Sequence, residues 1–293
     1  MTIETKHRKI ANGYKLEYSE LNDRRHELET KANGHQIPVV WDRAVDYNIF
    51  DNNGNKWIDM TAGIFAANAG HSNPKIKQAI QNQLDKDLIF AYQYITDIRQ
   101  QFVEKLLDSS PSHFDKTILM NTGSEVTDVA YKLIKLWAKK NNKKYIVTFN
   151  GSYHGRVLGS ALICGSKQAT SWSSVVDDDV VFIDFPIHPD AQFDPNILPP
   201  ADQIAAFFLE TYQGWAAWMY PPQYIQGLYK FAKDNGALVC FDEVQAGFYR
   251  MGEMYGYMTY GDNIKPDLIC LGKGISSSLP MAAVVGTKEV IDV

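Results

Sequence analysis

The chain has 293 residues, of which 45% are hydrophobic and 22% are charged, and its formal net charge is -5. This length suffices for one large α/β domain with a smaller accessory region. The positive residues form no stripe of the kind that binds nucleic acid, and no apolar run approaches the roughly 20 residues that span a membrane. The sequence therefore predicts a protein without a nucleic-acid or membrane partner.

The N-terminal segment and the cysteines both favour a cytoplasmic location. The segment MTIETKHRKI lacks the apolar core of a secretory leader, and Glu4 weighs against a transit peptide. The cysteines, Cys164, Cys240 and Cys270, are odd in number and widely spaced, without the spacing of a metal site. We interpret them as small core residues in a reducing compartment.

The N-terminal part of the chain predicts a helix, a hairpin and a second helix. The first helix is expected at Ser19–Lys31, as a solvated arm. The run Asn52–Asn55 separates two short apolar segments, which indicates a hairpin turn. A helix is predicted from Pro74, since proline suits the first helical position, to Leu84. His71, in the loop before it, is more typical of a hydrogen-bonded structural residue than of a catalytic one.

Strands and helices alternate after a short helix from Phe102 and the segment Ser109–Pro111. This alternation predicts a doubly wound, mainly parallel sheet of seven strands with helices on both faces. We place an N-terminal arm and a small α+β segment in residues 1–110, and a large domain in residues 111–293. The predicted strands are Thr117–Met120, Tyr145–Phe149, Val180–Ile183, Ala205–Leu209, Leu238–Phe241, Leu268–Leu271 and Met281–Val285.

Two of these strands end in residues of opposite charge, Asp242 and Lys273. In open α/β sheets ligands bind at the carboxyl ends of the strands, so both side chains would face one crevice. An ion pair is the simpler interpretation. The glycines Gly272 and Gly274 on either side of the lysine nevertheless indicate close approach of the backbone to a ligand. A lysine that forms a Schiff base with pyridoxal phosphate (PLP), with a carboxylate on the pyridinium nitrogen, would explain both residues.

The loop after Thr117–Met120 allows two interpretations. Thr122 and Glu125 form a capping box at the start of a helix, which is a purely structural role. Gly123 and Ser124 at the same helix start, just beyond a strand, also offer backbone N–H groups, a hydroxyl and a favourable helix dipole to a phosphate.

A second loop, Asn150–Arg156, contains an aromatic ring between two glycines and ends in a cation. Tyr153 offers a face on which a pyridine ring could stack, and Arg156 offers a fork suited to a carboxylate. The structural alternatives are a partly buried loop aromatic for Tyr153 and a surface salt bridge for Arg156.

The chain contains, in order, Thr-Gly-Ser-Glu, Tyr-His-Gly-Arg, a Glu-x-x-Gln-Gly segment (Glu210 to Gly214), Asp-Glu-Val-Gln and Gly-Lys-Gly. This order resembles the class III PLP-dependent aminotransferases of fold type I, the group that includes 4-aminobutyrate, acetylornithine and ornithine aminotransferases. The resemblance covers nearly the whole chain.

The resemblance implies two catalytic residues. Lys273 matches the lysine that forms the Schiff base and moves a proton between the substrate Cα and the cofactor C4′. Asp242 matches the partner of the pyridine nitrogen. Further cofactor contacts are implied for one phosphate-binding pair, two residues on the ring faces and one at the phenolic oxygen: Gly123, Ser124, Tyr153, Val244 and Gln245.

The resemblance also implies a substrate side of the pocket. Arg156 matches a position that binds a substrate carboxylate in some members, and Ile64 belongs to a segment similar to one that lines the pocket. Glu210 belongs to the Glu-x-x-Gln-Gly motif. Trp215 stands where many members carry a second glutamate, which acts as a gate in several of them. We therefore expect a reshaped pocket that favours an apolar or unusual amino donor.

The activity implied is transfer of an amino group from an amino acid or ω-amine to a 2-oxo acid, in a homodimer with the active site at the subunit interface. One alternative keeps the cofactor but changes the reaction to that of an aminomutase, racemase or decarboxylase. Another is a truncated, catalytically silent homologue or partner subunit. By resemblance, about another hundred residues are expected after Val293, forming most of a C-terminal small domain that this chain lacks.

Overall fold

The computed structural model describes residues 2–10, 28, 39–91, 94–166 and 170–293, and the chain divides into two compact units, residues 1–90 and 91–293. The predicted helix at Ser19–Lys31 lies, apart from Leu28, outside the described residues. The sequence places the domain boundary at residue 110, whereas the packing divides the chain after Phe90. The helix that precedes residue 110 therefore packs with the larger unit.

The described part of the first unit is built on five strands: β1 (Ile3–Glu4), β2 (Lys9–Ile10), β3 (Trp41–Val45), β4 (Asn48–Asp51) and β5 (Lys56–Ile58). They form an antiparallel sheet in the order β1-β2-β5-β4-β3. The predicted hairpin is confirmed, because Asn52–Asn55 joins β4 to β5. The predicted helix from Pro74 to Leu84 is also confirmed, and the side chain of Asn73 caps it by accepting from Lys75 N at 3.0 Å. The described helices of this unit are α1 (Ala62–Phe65) and α2 (Pro74–Leu84).

The second unit, as far as it is described, contains one sheet of seven strands: β6 (Lys116–Met120), β7 (Tyr145–Phe149), β8 (Val180–Ile183), β9 (Ile204–Glu210), β12 (Leu238–Asp242), β13 (Leu268–Leu271) and β14 (Ala282–Gly286). Their order in the sheet is β6-β14-β13-β12-β9-β7-β8. The pairs among the last five strands of that order are parallel, and β14 is antiparallel to both of its neighbours. The predicted mainly parallel sheet is confirmed. A separate hairpin consists of β10 (Tyr212–Gln213) and β11 (Trp218–Met219).

The helix predicted from Phe102 begins earlier, at Asp97, because the side chain of Thr96 accepts a hydrogen bond from Arg99 N and caps the helix there. Within the described residues no helix is both long and apolar enough to cross a membrane. The helices of this unit are α3 (Asp97–Asp108), α4 (Gly123–Lys140), α5 (Leu158–Leu162), α6 (Pro222–Asp234) and α7 (Lys288–Ile291), with short 3-10 turns at Pro195–Ile197, Ala201–Gln203, Gly256–Tyr260 and Lys273–Ile275.

Both faces of the sheet are covered by helices, as the sequence predicts. Successive strand residues point to opposite faces, so Phe208 and Cys240 pack with α4 whereas Phe207 and Val239 pack with α6. All four side chains have 0% exposure. Burying one large apolar side chain stabilises a fold by about 1.5–3 kcal/mol, so these two layers hold the sheet rigidly.

The carboxyl ends of β6, β12 and β13 lie at one edge of the sheet. β6 runs antiparallel to β14, and β14 runs antiparallel to β13, so β6 and β13 point in the same direction. β12 is parallel to β13. This edge therefore carries Asp242, Lys273 and the start of α4.

Candidate active site

Asp242 and Lys273 come from neighbouring strands, as the sequence predicts. Asp242 is the last residue of β12 and lies opposite Cys270 of the parallel strand β13. Gly272 and Lys273 follow that strand directly. An acid and an amine thus stand at adjacent strand ends, where α/β proteins bind their ligands.

The amine of Lys273 lies in a largely buried position. Burial lowers its pKa from the ordinary 10.5, and the negative charges of Asp242 and Glu210 offset part of that effect. Among the ion pairs that the described residues make, none joins Lys273 to Asp242, so the simple ion pair is not formed. A lowered pKa leaves more of the amine neutral, and a neutral amine can act as a nucleophile or base.

The backbone at Lys273 is strained. Its φ is +44°, in the left-handed region that residues with a Cβ rarely adopt. Strain of this kind costs about 1–3 kcal/mol and is concentrated at functional sites. The fold therefore holds this lysine in a conformation that local preferences alone would not produce.

Both oxygens of the Asp242 carboxylate accept hydrogen bonds. Val244 N donates to Oδ1 at 3.0 Å, and His154 Nδ1 donates to Oδ2 at 2.8 Å. The residue is only 6% exposed. Each carboxylate oxygen can accept more than one hydrogen bond, so the group can still receive a further N–H from a ligand.

Val244 fills the gap between two glycines from different elements. A Cβ placed on Gly123 would lie 2.8 Å from Val244 Cγ1, and one placed on Gly272 would lie 3.0 Å from the same atom. Neither position leaves room for a side chain. The valine therefore packs the start of α4 against the end of β13, beside Lys273.

The capping box at the start of α4 is confirmed. Thr122 Oγ1 accepts from Glu125 N at 3.3 Å, and Glu125 Oε2 accepts from Thr122 N at 2.7 Å. The first N–H groups of a helix have no partner inside it, and here they belong to Gly123 and Ser124. The capping box uses the side chains of Thr122 and Glu125, whereas the predicted phosphate site uses the N–H groups of Gly123 and Ser124. The two roles are therefore compatible.

The predicted ring-stacking loop packs onto this helix start. Arg156 N donates to Ser124 Oγ at 3.1 Å, and Gly155, with φ +139°, has no room for a Cβ, which would lie 2.6 Å from the same oxygen. Tyr153 is 41% exposed, and its hydroxyl accepts from Arg156 Nε at 3.2 Å. Arg156 belongs to no ion pair of the described residues, so the guanidinium can bind a carboxylate.

Glu210, the last residue of β9, is a buried carboxyl group behind this loop. Its two oxygens accept from Tyr153 N and Gly214 N, each at 3.0 Å. Burial raises its pKa to about 7, and the charge of His154 opposes that shift while the charge of Asp242 adds to it. The group therefore fixes the backbone on two sides, and its predicted contact with substrate stays a prediction.

The remaining predicted residues lie in three places. The amide of Gln245 lies against the backbone of Gly214, where a Cβ would come 1.7 Å from Gln245 Oε1. Trp215 is 66% exposed, and its ring centroid lies 5.2 Å from that of Trp218. Ile64 belongs to the first unit, where it is 69% exposed and has a φ of +63°. The substrate roles of Trp215 and Ile64 stay predictions.

Sequence reasoning did not assign a role to His154. Its side chain is fully buried and contacts Asp242 directly. The signal that could have identified it is its place between Tyr153 and Arg156, in a loop that follows a buried strand. His71, by contrast, is bonded to Asp59 at 2.7 Å in the first unit, consistent with the structural role expected for it.

The residues at this edge fit pyridoxal phosphate. The set combines an amine of lowered pKa, a buried carboxylate that can receive a ring N–H, a half-exposed aromatic face and a helix start for a phosphate. The glycines at 123 and 272 keep side chains out of the space beside Val244. Within the described residues, no group of three or more His, Cys, Asp or Glu side chains could hold a metal ion.

Comparison with known proteins agrees with this chemistry. Residues 30–293 match the model of the family described as aminotransferase class-III. Ornithine aminotransferase 2 of Staphylococcus aureus (strain N315) is 31% identical over 266 residues, which cover 88% of this chain and 64% of that protein. Isoleucine 2-epimerase of Lentilactobacillus buchneri is 31% identical over 274 residues, which cover 86% of this chain and 60% of that protein. The chain thus spans less than two thirds of the length of these relatives.

Solved structures share the fold. An S-selective transaminase from Arthrobacter sp., solved with alanine bound, has a TM-score of 0.76 and 26% identity, covering 92% of this chain and 64% of that one. Taurine:2-oxoglutarate aminotransferase from Bifidobacterium kashiwanohense, solved in complex with PLP and glutamate, has a TM-score of 0.81 at 21% identity and covers 95% of this chain and 67% of that one. These likenesses confirm the predicted fold class.

Proposed function

The chain belongs to the class-III aminotransferase family, and on that premise we propose that it forms the PLP-binding domain of an aminotransferase. The enzyme would move an amino group from an amino acid or ω-amine to a 2-oxo acid. The observation that carries the proposal is the pairing of Lys273, with its lowered pKa, and Asp242 at the ends of adjacent strands.

PLP, when bound, supplies an electron sink that makes the Cα–H bond of an amine substrate acidic. Lys273 would hold the cofactor through its amine and, once released, would accept the Cα proton and return it at the cofactor C4′. Burial suits the amine to this task, because a base whose pKa is lowered toward the working pH is neutral more of the time.

The other residues orient and enclose the cofactor. Asp242 would accept the ring N–H, and its hydrogen bond from Val244 N keeps the carboxylate beside the valine side chain. Tyr153 would lie on the opposite ring face. Gly123 and Ser124 would donate their backbone N–H groups to the phosphate at the positive end of α4.

Further residues would contact the substrate and the phenolic oxygen of the cofactor. Arg156 is exposed and would bind a substrate carboxylate, with Tyr153 orienting it through the 3.2 Å hydrogen bond. Gln245 would reach the phenolic oxygen of the cofactor. The remaining contacts, by Ile64, Glu210 and Trp215, rest on the family resemblance.

A half-reaction assay tests the proposal. The purified chain is loaded with PLP and mixed with 4-aminobutyrate, ornithine or an aryl-alkyl amine, without a 2-oxo acid. Transamination converts the bound cofactor to pyridoxamine phosphate, which is identified by chromatography. Bound PLP that no amine converts would contradict aminotransferase activity and would support a catalytically silent homologue or partner subunit.

A second candidate function uses the same site and cofactor but gives a different product. The match to an isoleucine 2-epimerase at 31% identity favours racemisation or epimerisation, in which the proton returns to Cα instead of C4′. Incubation with one enantiomer of isoleucine in deuterated water separates the two reactions. An epimerase incorporates deuterium at Cα and forms no stoichiometric pyridoxamine phosphate.

We further propose that the protein is a cytoplasmic homodimer. The free, buried cysteines Cys164, Cys240 and Cys270 support a reducing compartment. Tyr94, Ile95 and Ile98, at 80%, 93% and 53% exposure, support a protein partner at this surface of the larger unit, which we propose is a second copy. Cell fractionation and sedimentation equilibrium test the two statements, and a monomer at micromolar concentration would contradict the second.

A further inference from the structure

The loop that carries Tyr153 lies against a short segment that follows α5, residues 163–165, which we call the brace segment. The carbonyl of Gly165 accepts a hydrogen bond from Gly151 N at 3.1 Å. A Cβ placed on Gly165 would lie 2.0 Å from Phe149 O, so the two backbones are in direct contact. The brace segment therefore fixes the point at which the loop leaves strand β7.

The residue before Tyr153 is tied to the brace segment by its side chain. Ser152 is 1% exposed, and its Oγ accepts from Gly165 N at 3.0 Å. The same hydroxyl donates to Ile163 O at 3.4 Å. A hydroxyl has one proton to donate and two lone pairs with which to accept, so this serine bonds a donor and an acceptor of the brace segment together. Alanine at this position would remove the acceptor of the Gly165 N–H.

Tyr153 and the residue after it are held through their backbone N–H groups. His154 N donates to Cys164 Sγ, in the brace segment, at 3.0 Å. Tyr153 N donates to Glu210 Oε1 at 3.0 Å. Ser152 and His154 are buried, whereas Tyr153 between them is 41% exposed. These contacts hold the backbone on both sides of the tyrosine and leave its ring accessible.

The loop would otherwise have unusual conformational freedom. Gly151 and Gly155 flank the tyrosine with φ values of +79° and +139°, and glycine loses more freedom on folding than any other residue. A loop that is ordered before its ligand arrives binds more tightly, because the binding step no longer has to order it. The brace segment supplies that order.

We propose that Ser152 is a positioning residue, which together with the brace segment holds the ring of Tyr153 in the orientation that stacks on the pyridine ring of PLP. The hydroxyl of Ser152 does not contact the cofactor in this arrangement. It acts through the backbone that it shares with Tyr153. The inference rests on the proposed function, because it requires PLP against the tyrosine ring.

A double-mutant cycle separates this role from a general contribution to the fold. We expect Ser152→Ala to raise the dissociation constant of PLP about fivefold, as is usual for one lost hydrogen bond. In the Tyr153→Ala background the same substitution should have no further effect, because the ring that it positions is gone. Equal losses in both backgrounds would overturn the inference, and so would wild-type affinity in Ser152→Ala.

The matched control for this cycle is Ser110→Ala. Its hydroxyl donates to Leu106 O at 2.7 Å, at the end of α3, so the same chemical group is lost away from the loop. The dissociation constant of PLP, measured by equilibrium dialysis, should stay within about twofold of the wild type. A fivefold loss in this control as well would overturn the inference, because any lost hydroxyl would then suffice.

Two variants of Cys164 test the other contact of the brace segment. Cys164→Ala removes the acceptor of His154 N, whereas Cys164→Ser keeps an oxygen that can accept. The alanine variant should weaken PLP binding about threefold, less than Ser152→Ala because sulfur is a weak acceptor. The serine variant should recover most of that loss. Equal losses in the two variants would overturn the inference.

A further measurement does not depend on PLP. Hydrogen exchange of the Gly165 N–H, followed by NMR in the cofactor-free chain, should become about tenfold faster in Ser152→Ala and stay unchanged in Ser110→Ala. Unchanged exchange in Ser152→Ala would overturn the inference. Failure of the wild-type chain to bind PLP would instead contradict the proposed function, and the exchange rates would still decide whether Ser152 anchors the loop to the brace segment.

Discussion

Two buried carboxyl groups lie close to the sheet edge and share their main electrostatic property. Glu210 ends β9 and Glu243 follows β12, and burial raises the pKa of each to about 7. Each also accepts hydrogen bonds from two backbone N–H groups. On these facts alone either could be a catalytic acid.

Their neighbours differ. Glu210 lies in the site cluster, which we define as Asp242, His154, Glu210 and Lys273, and its charge acts on the amine of Lys273. Glu243 lies in the core cluster, defined as Glu243, Thr211, Gly256 and Tyr257, where its oxygens accept from the Thr211 hydroxyl, Gly256 N and Tyr257 N. A raised pKa thus marks burial, and the surrounding groups decide whether the carboxyl serves chemistry or the fold.

The largest expected effect comes from the site cluster. Lys273→Ala should lower the rate of the amine half-reaction by about 10²–10⁴-fold, because the general base is lost. Lys143→Ala is the control: burial lowers the pKa of Lys143 as well, but its amine donates to the backbone oxygens of Asp202, Ile204 and Asn235. A similar rate loss in both variants would remove the distinction between a site amine and a structural amine.

A substitution in the core cluster should lower the free energy of unfolding instead of the reaction rate. Glu243→Ala leaves a hydroxyl and two backbone N–H groups buried without an acceptor, so the free energy of unfolding should fall by about 3 kcal/mol or more. Glu253→Ala, an exposed glutamate in the following loop, should change it by less than about 0.5 kcal/mol. Urea denaturation of the cofactor-free chain measures both. A loss below 1 kcal/mol, about what one hydrogen bond contributes, would contradict the assignment of Glu243 to the fold.

Both carboxyl groups should make stability depend on pH in the same direction. Because their folded pKa of about 7 exceeds the ordinary 4.5, the folded state binds more protons than the unfolded state between these values. Their contribution is therefore full below pH 4.5 and is lost as the pH rises through about 7. Glu243→Gln should make this fall shallower in urea titrations across the window. An unchanged slope would mean that Glu243 is ionised in the folded chain.

A smaller effect is expected where the site cluster adjoins the helix start. Gly123→Ala places a Cβ 2.8 Å from Val244 Cγ1 and should weaken PLP binding about tenfold, since either the valine or the start of α4 must shift. The double variant Gly123→Ala with Val244→Ala should recover part of the loss, because the clash is removed. Strict additivity of the two single effects would contradict the contact.

The smallest predicted change concerns specificity. Trp215→Ala should reduce the preference for an aryl-alkyl amine over 4-aminobutyrate by about tenfold or less, the usual range for one apolar contact in a pocket. Trp218→Ala, which removes the ring beside it, serves as the control. Efficient use of 4-aminobutyrate alone by the wild type would show that Trp215 does not favour apolar donors.

The sequence predicted two residues of the site cluster, Asp242 and Lys273, but none of the contacts of the core cluster. The strand ends that carry Asp242 and Lys273 could be read directly, because short apolar runs end there in charged residues. The capping box and the hairpin at Asn52–Asn55 followed from local chemistry in the same way. Local signals of this kind depend on spacing along the chain, which the sequence displays.

The contacts of His154 and Glu243 could not be predicted in this way. The partner of His154 is Asp242, on a strand that comes much later in the chain, and those of Glu243 include the Thr211 hydroxyl and the turn at Gly256. Both depend on tertiary packing and on how far each group is buried. The domain boundary after Phe90 likewise depends on packing, which puts α3 with the larger unit.

Covalent trapping of the cofactor tests the central claim most directly. The purified chain is loaded with PLP, reduced with borohydride, digested and mapped by mass spectrometry, with the peptide that contains Lys143 as an internal control for amines of lowered pKa. Lys273 should carry the pyridoxyl group, because its amine lies at the sheet edge where it interacts with Asp242 of the neighbouring strand. An unlabelled Lys273, or equal labelling of Lys143, would contradict the assignment of this edge as a PLP site.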